Sequence, residues 1–223
     1  MINDAADGAF AAFAEGFAGG TPQLVSRELV ADTQTPVSAY LRLAAGSRNT
    51  FLLESVEGGE IRGRFSVIGL SPDLIWRCRG SVAEINRDPA NSGEFSADSR
   101  APIDSLRALM AESAMADTEN LPPMSAGLFG YFGYDMIRHI EAIPDANPAV
   151  IDTPDSMLVR PSLIAIFDRL KDSITFVVQV RPAEWDEPQA AWSQAQDRIA
   201  AALDALDAPM PPTEAGESTA PLP

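Results

Sequence analysis

Residues 50–72 constrain the fold more than any other stretch, because they carry the pattern of two strands joined by a glycine turn. Side chains alternate between the two faces of a strand, so Phe51, Leu53 and Ser55 share one face of the first strand. The glycine pair at 58–59 can adopt the positive φ angles of a tight hairpin. The stretch therefore predicts a β-hairpin whose second strand ends at a Ser-Pro pair.

Two further hairpins are predicted downstream, at 74–86 around Gly80 and at 157–181 around a Lys-Asp turn. The remaining predicted elements are helices over 5–18, from Thr35, from Pro102, over 134–140 and over 185–206, and strands over 23–30 and 126–133. Strands that come as hairpins favour antiparallel pairing. The predicted fold class is α+β, an α/β layered arrangement of mostly antiparallel sheets with flanking helices.

Ser55 stands out because it places a small hydroxyl on a face that otherwise carries Phe51 and Leu53. A buried hydroxyl needs a hydrogen-bond partner, which is either the backbone or a bound polar ligand. Most side-chain hydrogen bonds go to backbone or water, so the residues alone favour the backbone.

The length of 223 residues supports a sizeable core, and residues 1–208 are expected to form one domain. Residues 209–223 carry five prolines, a composition that predicts a proline-rich acidic linker. A linker at this position suggests that a further domain follows it.

The net charge of −16 argues against nucleic acid and anionic membrane surfaces as partners. No apolar run approaches the ~20 residues of a membrane span, and the start lacks a secretion signal. A single cysteine, Cys78, fits the reducing cytoplasm, and together with one histidine, His139, it cannot form a typical zinc site. We therefore expect a cytoplasmic protein without a metal site in this chain.

No catalytic residue is predicted. The glycines spaced three apart in 127–133 match neither phosphate-binding fingerprint, and packing is the favoured interpretation. Asp135, His139 and Glu141 lie near each other, but an i, i+4 pair on a predicted helix is usually surface electrostatics.

Four segments carry a resemblance to a known family: 35–43, 51–57 (Phe-Leu-Leu-Glu-Ser-Val-Glu), 63–70 and 127–138 (Gly-Leu-Phe-Gly-Tyr-Phe-Gly-Tyr-Asp-Met-Ile-Arg). They resemble the N-terminal region of anthranilate synthase component I, a family of chorismate-utilising enzymes. The segments occur in the order of the family and at plausible spacing.

The resemblance implies a parent enzyme that converts chorismate and glutamine-derived ammonia to anthranilate and pyruvate in tryptophan biosynthesis. Its magnesium and its catalytic residues would belong to a C-terminal chorismate-binding domain after the linker, so this chain alone is expected to be inactive. The implied partners are L-tryptophan as feedback inhibitor, the chorismate-binding domain and the glutamine amidotransferase component II. Allosteric coupling would require tryptophan to bind one packing of the two domains more tightly than the other.

The resemblance also implies that the Leu-Leu-Glu-Ser strand lines the tryptophan site. A zwitterion needs an acceptor for its ammonium, donors for its carboxylate and an apolar slot for its ring. Ser55 can donate or accept, Glu54 or the strand carbonyls can meet the ammonium, and Arg64 can meet the carboxylate. The candidate effector-binding residues are Leu53, Glu54, Ser55, Arg64, Phe65 and Ser66.

Three alternatives stay open. The chain could belong to aminodeoxychorismate synthase component I, the folate-pathway relative of the same architecture. It could serve mainly as a scaffold for the amidotransferase. Intrinsic lyase activity is the third alternative, and it is disfavoured because no complete acid-base or metal constellation is present.

Overall fold

The computed structural model describes residues 3–57, 61–116, 118–144 and 152–211. The predicted glycine turn at 58–59 and most of the predicted linker lie outside these ranges. The helices are α1 (Asn3–Ala18), α2 (Pro36–Leu43), α3 (Pro102–Glu112) and α4 (Pro188–Asp207). The strands are β1 (Gln23–Val30), β2 (Phe51–Glu57), β3 (Ile61–Arg79), β4 (Val82–Asn86), β5 (Ser96–Ala97), β6 (Phe129–Phe132), β7 (Ser156–Asp168) and β8 (Ser173–Val180).

All eight strands of the described part join one sheet. Six of them follow the order β1-β8-β7-β3-β4-β5, and β2 and β6 pair beside them. Strand β2 pairs with the first half of β3, and β6 pairs with the first half of β7. Every one of these pairings is antiparallel, as the hairpin pattern predicts. The α+β prediction is confirmed.

The prediction that the second hairpin strand ends at Ser71-Pro72 was wrong. Strand β3 continues for 19 residues and bends at this point, where Ser71 takes a φ of 47° and the register shifts between Pro72 and Leu74. Pro72 lies opposite Pro161 of β7, so neither residue has an N–H to give to the ladder there. The strand survives because β7 continues beside it on both sides of the bend.

Helices α1, α2 and α4 cover one face of the sheet. The ring centroids of Phe13 in α1 and Trp192 in α4 lie 5.1 Å apart, and Ile199 of α4 is fully buried among strand residues. Helix α4 begins at Pro188, not at Trp185 as predicted, because the residue before a proline is driven out of the helical region. Glu187 accordingly has φ −134° and ψ 134°.

Helix α3 covers the second half of β3 through Trp76, whose ring is fully buried. The Trp76 indole donates to Ser105 Oγ at 3.0 Å, and Ser105 donates to Asp98 Oδ2 at 2.7 Å. The opposite face of the first half of β3 packs against Phe129, whose ring lies 4.9 Å from that of Phe51.

Segment 126–140 differs in detail from its prediction. The strand is limited to β6, and the predicted α-helix is a 3₁₀ helix over Tyr134–His139. A Cβ on Gly130 would overlap the carbonyl oxygen of Met157, so this glycine allows a close backbone approach. Among the described residues, no helix combines the length and the apolar character required to cross a bilayer.

Candidate functional site

The β2–β3 hairpin positions the candidate effector residues. The register runs regularly from Phe51 opposite Gly69 to Glu54 opposite Ser66, and then becomes irregular. The single residue Ser55 therefore faces the three-residue stretch 63–65 of β3. A Cβ on the glycine at position 63 would overlap Ser55 Oγ, so the serine side chain occupies the space that this glycine leaves free.

Ser55 is exposed, which corrects the expectation of a buried hydroxyl. Within the described residues, β2 has β3 as its one strand partner, and the Phe129 ring packs on it at Phe51, four positions before Ser55. Leu53 is likewise 47% exposed. Within the described ranges no group hydrogen bonds to the Ser55 hydroxyl, so the backbone partner favoured by the residues alone is not observed.

Strand alternation divides the candidate set between the two faces of the hairpin. Leu53, Ser55 and Phe65 share the face that packs on Phe129. Glu54 and Ser66 lie opposite each other on the helical face, where Glu54 is exposed and Ser66 is 3% exposed. The structure thus brings three of the six residues together and directs two of them away.

The sixth candidate, Arg64, is tied to a residue that sequence reasoning missed. Its Nε and Nη2 donate to Oδ1 and Oδ2 of Asp168 at 2.9 and 2.6 Å, and Asp168 is 4% exposed. The hydrogen bonds from Arg64 hold the pKa of Asp168 below its ordinary value. The signal in the sequence was a carboxylate at the end of an apolar strand, which must find a cationic partner when buried.

The Arg64 guanidinium can still donate a hydrogen bond to a ligand. Its guanidinium carbon lies 4.7 Å from the centroid of the Phe65 ring, and its side chain is 47% exposed. Nη1 makes no hydrogen bond within the part of the chain that the structure describes. The arginine is therefore both oriented by Asp168 and open on one side.

A cleft of about 470 Å³ opens beside this ion pair. Cationic, acidic and apolar side chains line it, the combination that a zwitterionic amino acid requires. Leu53, Glu54 and Ser55 lie outside its wall, so Arg64 and Phe65 are the candidates that border it. The lining includes Glu28, Arg64, Phe65, Leu121, Asp168 and Lys171.

The described residues show no acid-base pair at Asp135 and His139. Asp135 accepts from Arg138 Nε at 2.8 Å, because the 3₁₀ helix aligns residues three apart, so the predicted i, i+4 face was wrong. His139 Nε2 instead lies 3.6 Å from Cys78 Sγ. Burial, with the nearby Asp155 carboxylate, raises the pKa of the Cys78 thiol to about 11, so the sulfur stays protonated and weakly nucleophilic.

No group of three or more His, Cys, Asp or Glu side chains is placed to hold a metal ion in the described ranges. These residues thus offer no ligand set for the magnesium that the resemblance implies. Its place in a chorismate-binding domain stays a prediction.

Comparisons of sequence and of structure lead to proteins of the same name in different organisms. The chain is 45% identical over 199 residues to anthranilate synthase component 1 of Cereibacter sphaeroides, covering 89% of this chain and 40% of that protein. The enzymes of Pseudomonas putida and Thermus thermophilus are 35% and 34% identical, over 83% and 75% of this chain and 36% and 34% of their own lengths. The chain therefore spans about two fifths or less of these relatives.

The crystal structure of anthranilate synthase component I from Streptococcus pneumoniae TIGR4 superposes with a TM-score of 0.55 at 23% identity, covering 82% of this chain and 37% of that one. This likeness supports the fold. No family model matches the chain. The sequence identities and the shared fold together show that the chain belongs to the anthranilate synthase component I family and corresponds to its N-terminal region.

Proposed function

We propose that this chain is the regulatory part of an anthranilate synthase and contributes half of a site for tryptophan as feedback inhibitor. The parent enzyme would form anthranilate and pyruvate from chorismate and ammonia in the cytoplasm, a compartment in keeping with the free thiol of Cys78. The relatives carry the tryptophan-branch name, which favours this branch over the folate one.

The observation that carries the proposal is the Ser55 hydroxyl, exposed above Gly63 and without a partner in the described structure. An exposed hydroxyl on the same face as Leu53 and Phe65 offers a donor and an acceptor beside apolar surface. The strand carbonyls are a better acceptor for the ligand ammonium than the Glu54 carboxylate, which projects from the other face. The free Nη1 of Arg64 is suited to the ligand carboxylate.

This half-site is too open to hold an amino acid tightly alone, because Leu53, Glu54 and Ser55 are all exposed. The chorismate-binding domain would complete it. Tryptophan bound between the two domains would then stabilise one arrangement of the domains over the other, which couples binding to activity.

The test uses a full-length anthranilate synthase component I that contains this region. Tryptophan inhibition is measured in the wild type and in Ser55→Ala, with Ser81→Ala in an exposed turn as the matched control. We expect Ser55→Ala to require roughly tenfold more tryptophan for half inhibition, the equivalent of one lost hydrogen bond of about 1.4 kcal/mol. Equal inhibition of all three proteins at equal activity would remove Ser55 from the role.

A second function, docking of the rest of the enzyme, is favoured by exposed apolar side chains at the end of β6 and just after it. Phe132, Tyr134 and Ile140 are 57%, 86% and 73% exposed within nine residues of chain. Exposed apolar patches commonly mark interfaces, and three such side chains in so short a segment favour one here. We propose the chorismate-binding domain as the occupant, because about three fifths of the length of the relatives lies outside this chain.

The docking proposal is tested by co-purification of this chain with a separately expressed chorismate-binding domain. Phe132→Ser combined with Tyr134→Ser should abolish capture, while Val30→Ser, at an exposed residue on the edge strand, should not. Retention by the double variant would reject this surface. Capture of the amidotransferase component alone would assign the surface to that subunit and reject the chosen occupant.

A further inference from the structure

Three arginines share two carboxylates next to the bend of β3, and a fourth arginine lies beside them. Asp73 accepts hydrogen bonds from Arg160 Nε at 2.7 Å and from Arg181 Nη1 at 3.0 Å. Glu112 accepts two from Arg87, at 2.7 and 2.8 Å, and one from Arg160 Nη1 at 3.2 Å. Each carboxylate is therefore shared between two guanidinium groups.

The fourth arginine, Arg198, has no acidic partner at hydrogen-bond distance among the described residues. Arg198 Nη2 donates to Ser162 Oγ at 2.6 Å, and Ser162 in turn donates to the carbonyl oxygen of Ser71. In addition, Nε of Arg181 is buried without a partner among the described residues, and Arg181 itself is 8% exposed. The hydrogen-bonded cluster of Arg87, Arg160, Arg181, Asp73 and Glu112 thus holds one excess positive charge, and Arg198 beside it adds a second. The Glu184 carboxylate offsets part of this charge at Arg181, and burial lowers the pKa of both Arg181 and Arg198.

This excess stands out in a chain whose net charge is −16. Partly buried charge without a counter-charge is costly, and a bound anion relieves that cost. Guanidinium groups are also the side chains best suited to carboxylate and phosphate oxygens.

A cleft of about 580 Å³ opens directly onto the cluster, and we call it the arginine cleft. Asp73 and Ser162 form part of its wall, so Arg160, Arg181 and Arg198 lie immediately behind the lining. Its charged lining residues are Arg48, Asp73, Arg87 and Asp88, and its polar ones include Asn49, Ser71 and Ser162. Arg48 is exposed at the rim and makes no hydrogen bond or ion pair within the described part of the chain.

We propose that the arginine cleft binds a small dianion through its carboxylate or phosphate oxygens, with Arg48 at the rim and the buried cluster behind the wall. The excess of arginines behind the wall favours an anion, and the volume admits a metabolite-sized molecule. This inference does not depend on the tryptophan proposal, because the two proposed sites share no residue.

The experiment is calorimetric titration of the 223-residue chain with inorganic phosphate and, separately, with malonate, at constant ionic strength set by sodium chloride. We expect saturable binding of at least one dianion. Arg48→Gln should weaken it about tenfold, the loss of one charge-assisted contact, without disturbing the folded network. Arg198→Gln should weaken it similarly and is checked for folding by circular dichroism. Arg107→Gln, at an exposed arginine of α3 outside the cleft, is the control and should bind as the wild type does.

The outcomes separate the sources of the ligand. Tighter phosphate binding supports a phosphorylated metabolite, and tighter malonate binding supports a dicarboxylate. Absence of saturable binding for both ions would overturn the proposal. Equal weakening in Arg107→Gln would also overturn it, because the effect would then reflect overall charge, and so would unchanged binding in Arg48→Gln.

Discussion

The pair formed by Arg64 and Asp168 offers a sharp test of how the candidate site is held together. In Asp168→Asn the amide keeps the shape of the carboxylate but removes its charge and one of its two strong acceptors. The wild type has two charge-assisted hydrogen bonds there, at 2.9 and 2.6 Å, and Asp168 is 4% exposed. A hydrogen bond to a charged group is worth about 1.5–3 kcal/mol when sheltered. Because the Arg64 side chain is 47% exposed, solvent screening reduces this, and we expect a loss of about 1–2 kcal/mol in the free energy of unfolding.

The measurement is urea unfolding of the wild type and Asp168→Asn at pH 7, followed by circular dichroism. The control is Asp104→Asn, which breaks the pair between Arg107 and Asp104, whose side chains are 73% and 64% exposed. We expect this control to cost less than about 0.5 kcal/mol. If Asp168→Asn cost no more than Asp104→Asn, the view of Asp168 as a buried anchor for Arg64 would be refuted.

The pH dependence provides a second, independent readout. Arg64 lowers the pKa of Asp168 in the folded protein from its ordinary value of 3.8. The resulting stability is fully present above about pH 4 and is lost as the pH falls further, toward the lowered pKa. The difference between wild type and Asp168→Asn should therefore shrink on acidification. A difference that stays constant from pH 7 to about pH 3 would contradict the pairing.

Three further predictions concern other parts of the fold. Gly63→Ala should destabilise the protein by about 1–3 kcal/mol in urea unfolding, because the new methyl group overlaps Ser55 Oγ, and a cost near zero would contradict the described hairpin. Ser105→Ala leaves the buried indole N–H of Trp76 unpaired and should cost about 1–3 kcal/mol, whereas the same change in a Trp76→Phe background should cost less, so additive effects would count against the hydrogen bond. Cys78, with a pKa of about 11, should react with a thiol reagent at about pH 8 only after denaturation, and fast labelling of the native protein would contradict its burial.

The sequence predicted the pairing pattern well because hairpins are local. The strands and turns around Gly80 and around the Lys-Asp pair before β8 depend on neighbouring residues, and the structure has them there. The prediction failed where the length of a strand depends on a partner that is distant in sequence. Strand β3 passes through Ser71-Pro72 because β7, some 90 residues away, supports it, and no local signal records that support.

In the candidate site, too, the features set by neighbouring residues were predicted and those set by distant residues were not. Alternation placed Ser55 on the face of Phe51 and Leu53, and the structure agrees. The exposure of Ser55 and the anchoring of Arg64 depend on what covers β2 and on Asp168, which is 104 positions away in sequence. Partners so distant in sequence cannot be identified from the pattern of one segment.

The continuity of β3 has a consequence for communication within the molecule. The same strand borders Ser55 at its beginning and lines the arginine cleft after its bend, with Gly63 and Asp73 ten positions apart. At about 3.3 Å per residue, roughly 33 Å of backbone joins the two places. The bend belongs to the cleft itself, because Ser71 and Pro72 are part of its lining. A molecule bound in the cleft would therefore contact the same strand that borders Ser55.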